Sequence, residues 1–166
     1  MLEILNLAPV ALAVVAGLVI GSFLNVVIHR LPLMLERQWQ RDARATLQGD
    51  GAGADSGDGA EEPAFNLCTP PSRCPHCGQR IRWWQNIPLL SYVLLGGKCS
   101  RCKAGIGLRY PLVELATGAL FGWCVHRFGI SAQAGAWCLF SALLLALALI
   151  DWDTTLLPDD LSYPLL

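Results

Sequence analysis

The sequence predicts a polytopic α-helical membrane protein. It has three spans, the truncated start of a fourth, and a small cytoplasmic zinc-binding module between spans 1 and 2. Three observations predict this. Apolar residues make up 54% of the chain and charged residues 15%, against about 45–50% and about 25% in ordinary soluble domains. The apolar excess is gathered into long runs, and residues 9–28 and 132–150 carry no charged side chain at all. Between the runs stand Cys74-Pro75-His76-Cys77 and Cys99-Ser100-Arg101-Cys102, two Cys-x-x-Cys pairs with 21 residues between them.

The first span is expected over residues 9–28. Twenty residues at about 1.5 Å each cross a hydrocarbon core of about 30 Å. Gly21-Ser22 offers a small surface for a neighbouring helix. His29-Arg30-Leu31-Pro32 is expected to stop this span, charge first and proline after. Residues 33–47 mix Leu35 and Trp39 with Arg37, Arg41 and Arg44. They suit either a helix lying on the membrane surface or a soluble helix packed on the metal module. Residues 49–62 hold no large apolar side chain and read as a disordered linker.

Residues 63–110 carry the metal module. A tetrahedral ion takes four soft ligands, and each short pair places two thiolates on one edge of it. Cys74, Cys77, Cys99 and Cys102 are therefore the expected zinc ligands. His76 reads as a solvated neighbour, not a fifth ligand. Ile81, Trp83, Trp84, Ile87 and Tyr92 give a small sheet-like domain something to pack, or dip into the headgroup region. Cys68, Cys124 and Cys138 are left over, and the last two read as small buried hydrophobes.

The second span is expected over residues 110–125 and carries Glu114. A carboxylate there is either functional, facing protein or water, or snorkels to the interface. The third span covers 132–150 and closes with Asp151-Trp152-Asp153. Residues 153–161 read as a turn leading into a fourth helix. The chain thus divides into a first transmembrane helix (1–29), a cytoplasmic loop with the zinc module (30–109) and the truncated start of a further membrane domain (110–166).

Eleven of the twelve Lys and Arg residues lie between Arg30 and Arg109. Basic residues near span ends mark the cytoplasmic side. That places the metal module and Asp151 in the cytoplasm, at one face of the membrane. Met1-Leu2-Glu3 lacks the basic start of a signal peptide. A net charge of −1 gives no global argument for nucleic acid. Asp151, Asp153, Asp159 and Asp160 gather at the mouth of the third span. Paired carboxylates share a proton and activate water, although an ordinary acidic helix end has the same composition. No glycine-rich phosphate loop is present.

Taken in order, several stretches resemble the N-terminal part of the bacterial type IV prepilin peptidases. They are Gly21-Ser22-Phe23-Leu24-Asn25-Val26-Val27-Ile28-His29-Arg30-Leu31-Pro32, the two Cys-x-x-Cys pairs, and Asn86-Ile87-Pro88-Leu89-Leu90-Ser91-Tyr92. Gly97-Lys98-Cys99, Arg109-Tyr110-Pro111-Leu112-Val113-Glu114-Leu115, and Asp151 with Leu157-Pro158-Asp159 follow. The resemblance implies a multi-pass aspartic peptidase of the bacterial inner membrane. Its substrates would be type IV prepilins and the pseudopilins of type II secretion. It would cleave after a glycine ending a short basic leader, then methylate the new N-terminus with S-adenosylmethionine. By position, Asp151 would be the first catalytic aspartate, with Asp153 and Asp159 supporting. Cys74, Cys77, Cys99 and Cys102 would be metal ligands linked to methylation, and the methyl-donor pocket has no assigned residues. The family's second catalytic aspartate lies in a Gly-x-Gly-Asp motif on a later helix, and that pattern does not occur in the 166 residues. As written, the chain is therefore expected to be a fragment, or inactive alone. The competing readings are a non-catalytic membrane-anchored zinc module that binds prepilin or assembly partners, and a membrane thiol oxidoreductase.

Overall fold

The architecture follows from how closely three helices approach one another. A computed structural model describes residues 2–49, 66–67, 69, 71, 73–74, 76–80, 89–155 and 158–165. Its elements are α1 (Leu2–Gly49), α2 (Leu90–Leu94), α3 (Arg109–Phe128), α4 (Ala132–Thr154) and α5 (Asp159–Ser162), followed by a 3-10 turn, Tyr163–Leu165.

Helix α1 runs for 48 residues and includes Pro9 and Pro32. At about 1.5 Å per residue it is about 72 Å long, more than twice a hydrocarbon core. Pro32 therefore does not end the helix, and any membrane-spanning part of α1 is shorter than the helix itself. An interior proline removes one backbone hydrogen bond and strains the turn before it. Here the helix is held on both sides of that point. Leu24, Val27 and Ile28 are buried before it, Pro32 itself is buried, and strong helix formers from Leu33 to Gln38 follow. Residues 36–47 are exposed. The second half of α1 is thus a continuation of the same helix, not a separate one. Beyond Gly49, the linker expected over 49–62 lies outside the described residues.

Helices α1 and α3 pack antiparallel with their backbones nearly touching. A Cβ on Gly17 would sit 2.8 Å from Gly118 Cα, and one on Gly21 would sit 2.8 Å from Glu114 Cα. On the facing side, a Cβ on Gly122 would sit 2.6 Å from Val14 Cγ2. Small residues four apart on both helices permit this approach, which is how helices gain dispersion contacts where lipid is as apolar as leucine. Asn25 Nδ2 donates to the Tyr110 carbonyl at 3.0 Å, and Thr117 is fully buried.

Helix α4 closes the bundle with its own stripe of small residues. Ala134, Cys138, Ala142, Ala146 and Ile150 recur every fourth position and are all buried. Ser131 caps its start, accepting from the Ala134 amide at 3.1 Å. At the turn between α3 and α4, Phe128 and Trp137 stack with centroids 6.3 Å apart. The outward faces carry Leu12, Val15, Phe23, Leu112, Trp123 and Leu144, all exposed, which suits contact with lipid tails. Two helices, α1 and α4, are long and apolar enough to cross a membrane. Helix α3 has 20 residues but is less apolar, carrying Glu114, His126 and Arg127 within its length.

The described part of the metal module is built of turns. Among the described residues it has two isolated β-bridges, Arg73 with Arg80 and Lys98 with Gly105, and no strand. Residues 81–88, where most of its apolar packing was expected, lie outside the described residues. The start of a fourth helix appears only as the four residues of α5.

Two alanine substitutions test the helix contact. Gly17→Ala meets backbone that cannot yield, so it is expected to destabilise the detergent-solubilised chain by about 1–2 kcal/mol, net of alanine's better helix propensity. Gly122→Ala meets only a side-chain methyl, and Val14→Ala should restore stability there but not at Gly17. Thermal unfolding of the four variants reads both expectations.

Candidate functional site

Each Cys-x-x-Cys pair folds into the same tight knuckle. In the first, the Gly78 amide donates to the Cys74 carbonyl at 2.9 Å, and the Cys74 amide donates to the Gln79 carbonyl at 2.9 Å. In the second, the Lys103 amide donates to the Cys99 carbonyl at 3.1 Å, and the Cys99 amide donates to the Ala104 carbonyl at 2.8 Å. The residue after the second cysteine turns left-handed in both, with φ of 67° at Gly78 and 59° at Lys103. Glycine adopts that conformation freely and lysine does so at a cost. The knuckles are joined by Arg101, whose guanidinium donates to Gln79 Oε1 at 2.7 Å.

The four expected ligands converge. The sulfurs of Cys74, Cys77, Cys99 and Cys102 all lie within 4.8 Å of one another, and Cys74 and Cys102, from opposite pairs, are 3.8 Å apart. Metal–sulfur bonds of about 2.3 Å at tetrahedral angles require sulfurs about 3.8 Å apart, so the cage fits a four-coordinate ion. Four thiolates in this geometry suit zinc or iron. His76 is exposed and stands outside the set.

The thiols are not equivalent. The Cys102 amide, and then the Arg101 amide, point at the Cys99 sulfur and lower its pKa to about 6. The Ala104 amide acts the same way on Cys102, but partial desolvation and the neighbouring sulfurs of Cys99, Cys77 and Cys74 outweigh it and raise that thiol to about 11.

Charged and polar groups tie this module to the bundle at its start and between its two knuckles. Where the chain enters, Arg30 of α1 donates to the carbonyls of Asn66 at 3.0 Å and Leu67 at 3.3 Å. Before the second knuckle, the Leu89 amide donates to Glu114 Oε2 at 2.8 Å, and Ser22 also hydrogen-bonds this carboxylate. Glu114 is 8% exposed. It does not snorkel, because the glycine contact at Gly21 brings Ser22 and the loop over it. Its role here is to join α1, α3 and the loop.

The acidic end of α4 lies at the same end of the bundle. Arg109, the first residue of α3, makes a two-pronged ion pair with Asp153, at 2.7 Å from Nη1 to Oδ1 and 2.6 Å from Nη2 to Oδ2. Asp151 is exposed, and among the described residues its carboxylate has no hydrogen-bond or ion-pair partner. Residues two apart on a helix do not face each other. Asp151 and Asp153 therefore do not face each other. The side chains of Asp159 and Asp160 lie outside the described set, as does Cys68. Cys124 and Cys138 are buried, as expected.

Reasoning from sequence missed several participants. Arg109 was counted only as a basic charge, although its spacing to the helix end of α4 was unknown in advance. Gly17, Gly118 and Gly122 were missed, although their four-residue repeats were in plain view. Ser22 as a partner of Glu114 had no signal in the sequence beyond its polarity within an apolar run.

The family model for the bacterial peptidase A24 N-terminal domain matches residues 15–128. The chain belongs to this family. It is 56% identical over 162 residues to a prepilin leader peptidase/N-methyltransferase of Stutzerimonas stutzeri, covering 96% of this chain and 53% of that protein. A protein of the same name from Pseudomonas aeruginosa is 53% identical over 160 residues, with 96% and 53% covered. One from Neisseria gonorrhoeae is 45% identical over 165 residues, with 99% and 56% covered. The chain spans about half the length of these curated relatives. No solved structure matches. The matched part of this A24 N-terminal domain holds α1 from residue 15, the cysteine cage and α3, so the cage and its tethers to Arg30 and Glu114 all lie within the family region.

Alkylation tests the cage. With metal bound, all four thiolates should resist iodoacetamide. After chelation at pH 7, Cys99 should react faster than Cys102 although Cys102 is the more exposed, because only Cys99 is then a thiolate. At pH 5 the Cys99 rate should fall about tenfold as that thiol takes up its proton, with Cys99 still the faster of the two. Peptide mass spectrometry reads the order, and equal rates at pH 7 would contradict it.

Proposed function

We propose that this chain supplies the N-terminal half of a prepilin leader peptidase and N-methyltransferase of the bacterial inner membrane, acting on type IV prepilins and type II secretion pseudopilins. The relatives' shared name over nearly the whole of this chain carries the reading. The geometry is coherent with it. An exposed carboxylate at Asp151, unpaired among the described residues, stands at the same end of the bundle as the cysteine cage.

In this reading α1, α3 and α4 cross the membrane, and the cage and Asp151 face the cytoplasm, where the basic residues are concentrated. Cys74, Cys77, Cys99 and Cys102 hold a structural zinc ion, closed to further ligands. Asp151 takes the proton of the attacking water. A carboxylate outside residues 1–166, in a Gly-x-Gly-Asp motif, completes the aspartic pair and donates to the scissile carbonyl. Asp153 supports Asp151 indirectly, because its ion pair with Arg109 fixes the last turn of α4. Methylation uses S-adenosylmethionine, whose site has no residues assigned in this half.

The test is a chimera joining residues 1–166 to the C-terminal remainder of the Pseudomonas aeruginosa relative. It should cleave prepilin, and Asp151→Asn should reduce cleavage by about 10²–10⁴-fold, the range for losing a positioned acid–base group. Arg109→Gln, which frees the last turn of α4 without touching Asp151, should cost less. Unchanged cleavage in Asp151→Asn would sink the assignment. Zinc content near one ion per chain, abolished by Cys99→Ser, would support the metal assignment independently.

A further inference from the structure

We infer that the cysteine module is a docking surface for anionic phospholipid headgroups, holding the module down on the leaflet from which the helices emerge. This rests on the membrane placement of α1 and α4 and goes beyond the proposed enzyme activity.

The first observation is a charge imbalance. Between Asn66 and Leu108 the chain has six Lys and Arg residues and no Asp or Glu. Four thiolates around a divalent ion offset only part of this. Arg73, Arg80, Lys98, Arg101 and Lys103 are all exposed. Arg101 bonds a neutral amide, that of Gln79. Within the module there is no carboxylate to answer these charges.

The second observation is their arrangement. Arg73 and Arg80 are directly paired across the first knuckle. Like charges facing each other across a bridge destabilise it, unless an anion lies between or beside them. Lys98 occupies the matching position in the second knuckle, paired with Gly105. The knuckles thus present their cations at corresponding points of a repeated fold, as a surface rather than a pocket.

The third observation selects a bilayer over other polyanions. Val93 and Leu94 of α2 are 72% and 75% exposed, and Leu108, next to the first residue of α3, is 66% exposed. Helix α2 is fastened to the segment leading into α3, since the Gly97 amide donates to the Tyr92 carbonyl at 2.8 Å and the Ile106 amide to the Gly97 carbonyl at 2.7 Å. Apolar side chains beside uncompensated cations, joined directly to the end of a bundle helix, match the chemistry of a headgroup boundary. A nucleic acid or an acidic protein would leave those apolar side chains in water.

The experiment uses the whole chain, metal-loaded, in nanodiscs of phosphatidylcholine alone or mixed with phosphatidylglycerol. Amide hydrogen exchange is followed over residues 93–108. Exchange should slow by about fivefold or more in the anionic discs, the effect of one basic side chain at an anionic surface. That slowing should disappear at high salt, which screens surface charge, and in the triple variant Arg73→Gln/Arg80→Gln/Lys98→Gln. Equal exchange in the two lipids would overturn the proposal, as would slowing that survives high salt. Equal slowing in neutral discs on adding an oligonucleotide or an acidic peptide would overturn the choice of lipid. A chain missing from the disc fraction would overturn the membrane placement beneath the proposal, and is read separately.

Discussion

The near contact of α1 and α3 backbones is the constraint on which the rest of the structure depends. With Gly17 against Gly118 and Gly21 against Glu114, the two helices come close enough for polar groups to meet inside an apolar bundle. Ser22 reaches Glu114 and Asn25 reaches the Tyr110 carbonyl only because no side chain intervenes. Without that approach, a carboxylate near the end of a bundle helix would be desolvated and unanswered, at a cost of several kcal/mol. Packing by glycine therefore comes first, and the buried polar contacts follow from it.

Those contacts in turn fix the cysteine module. Glu114 holds the Leu89 amide and Arg30 holds the carbonyls of Asn66 and Leu67, so the loop is gripped before the first knuckle and between the two. A four-thiolate site closes a long loop, and metal binding to such a site is folding free energy. Here that free energy is coupled to the bundle through two charged side chains. Loss of metal is then felt at Glu114, and loss of the α1–α3 contact is felt at the cage. Each half restricts the conformations the other must give up on folding.

Much of this was legible in the sequence, and the failures have physical causes. The apolar runs, the cage and the common end of the bundle all followed from hydropathy, cysteine spacing and charge counts. Helix continuity through Pro32 was not legible, because a proline's local cost is visible in sequence while the burial of Leu24, Val27 and Ile28 that outweighs it is tertiary. The knuckles' own turns, which satisfy their backbone without strands, were not legible from composition. Glu114 was recognised as a carboxylate in an expensive place, but the choice between burial and snorkelling depended on a glycine on another helix. The stripe of Ala134, Cys138, Ala142 and Ala146 was readable at its four-residue period, and only its partner surface was not.

The end of α4 shows how one helix can give two identical side chains different work. Asp151 and Asp153 are two residues apart, so they point to opposite sides of the helix. Arg109 can reach only one of them, and its rigid fork takes both oxygens of Asp153. That pair is half exposed and contributes little to stability alone, about 0–1 kcal/mol. Its effect is geometric, because it pins the turn on which Asp151 sits. Asp151 is left exposed, without a hydrogen-bond or ion-pair partner among the described residues. A carboxylate kept free by the anchoring of its neighbour is available to a reaction or to a second carboxylate, and the helix geometry alone decides which of the two aspartates that is.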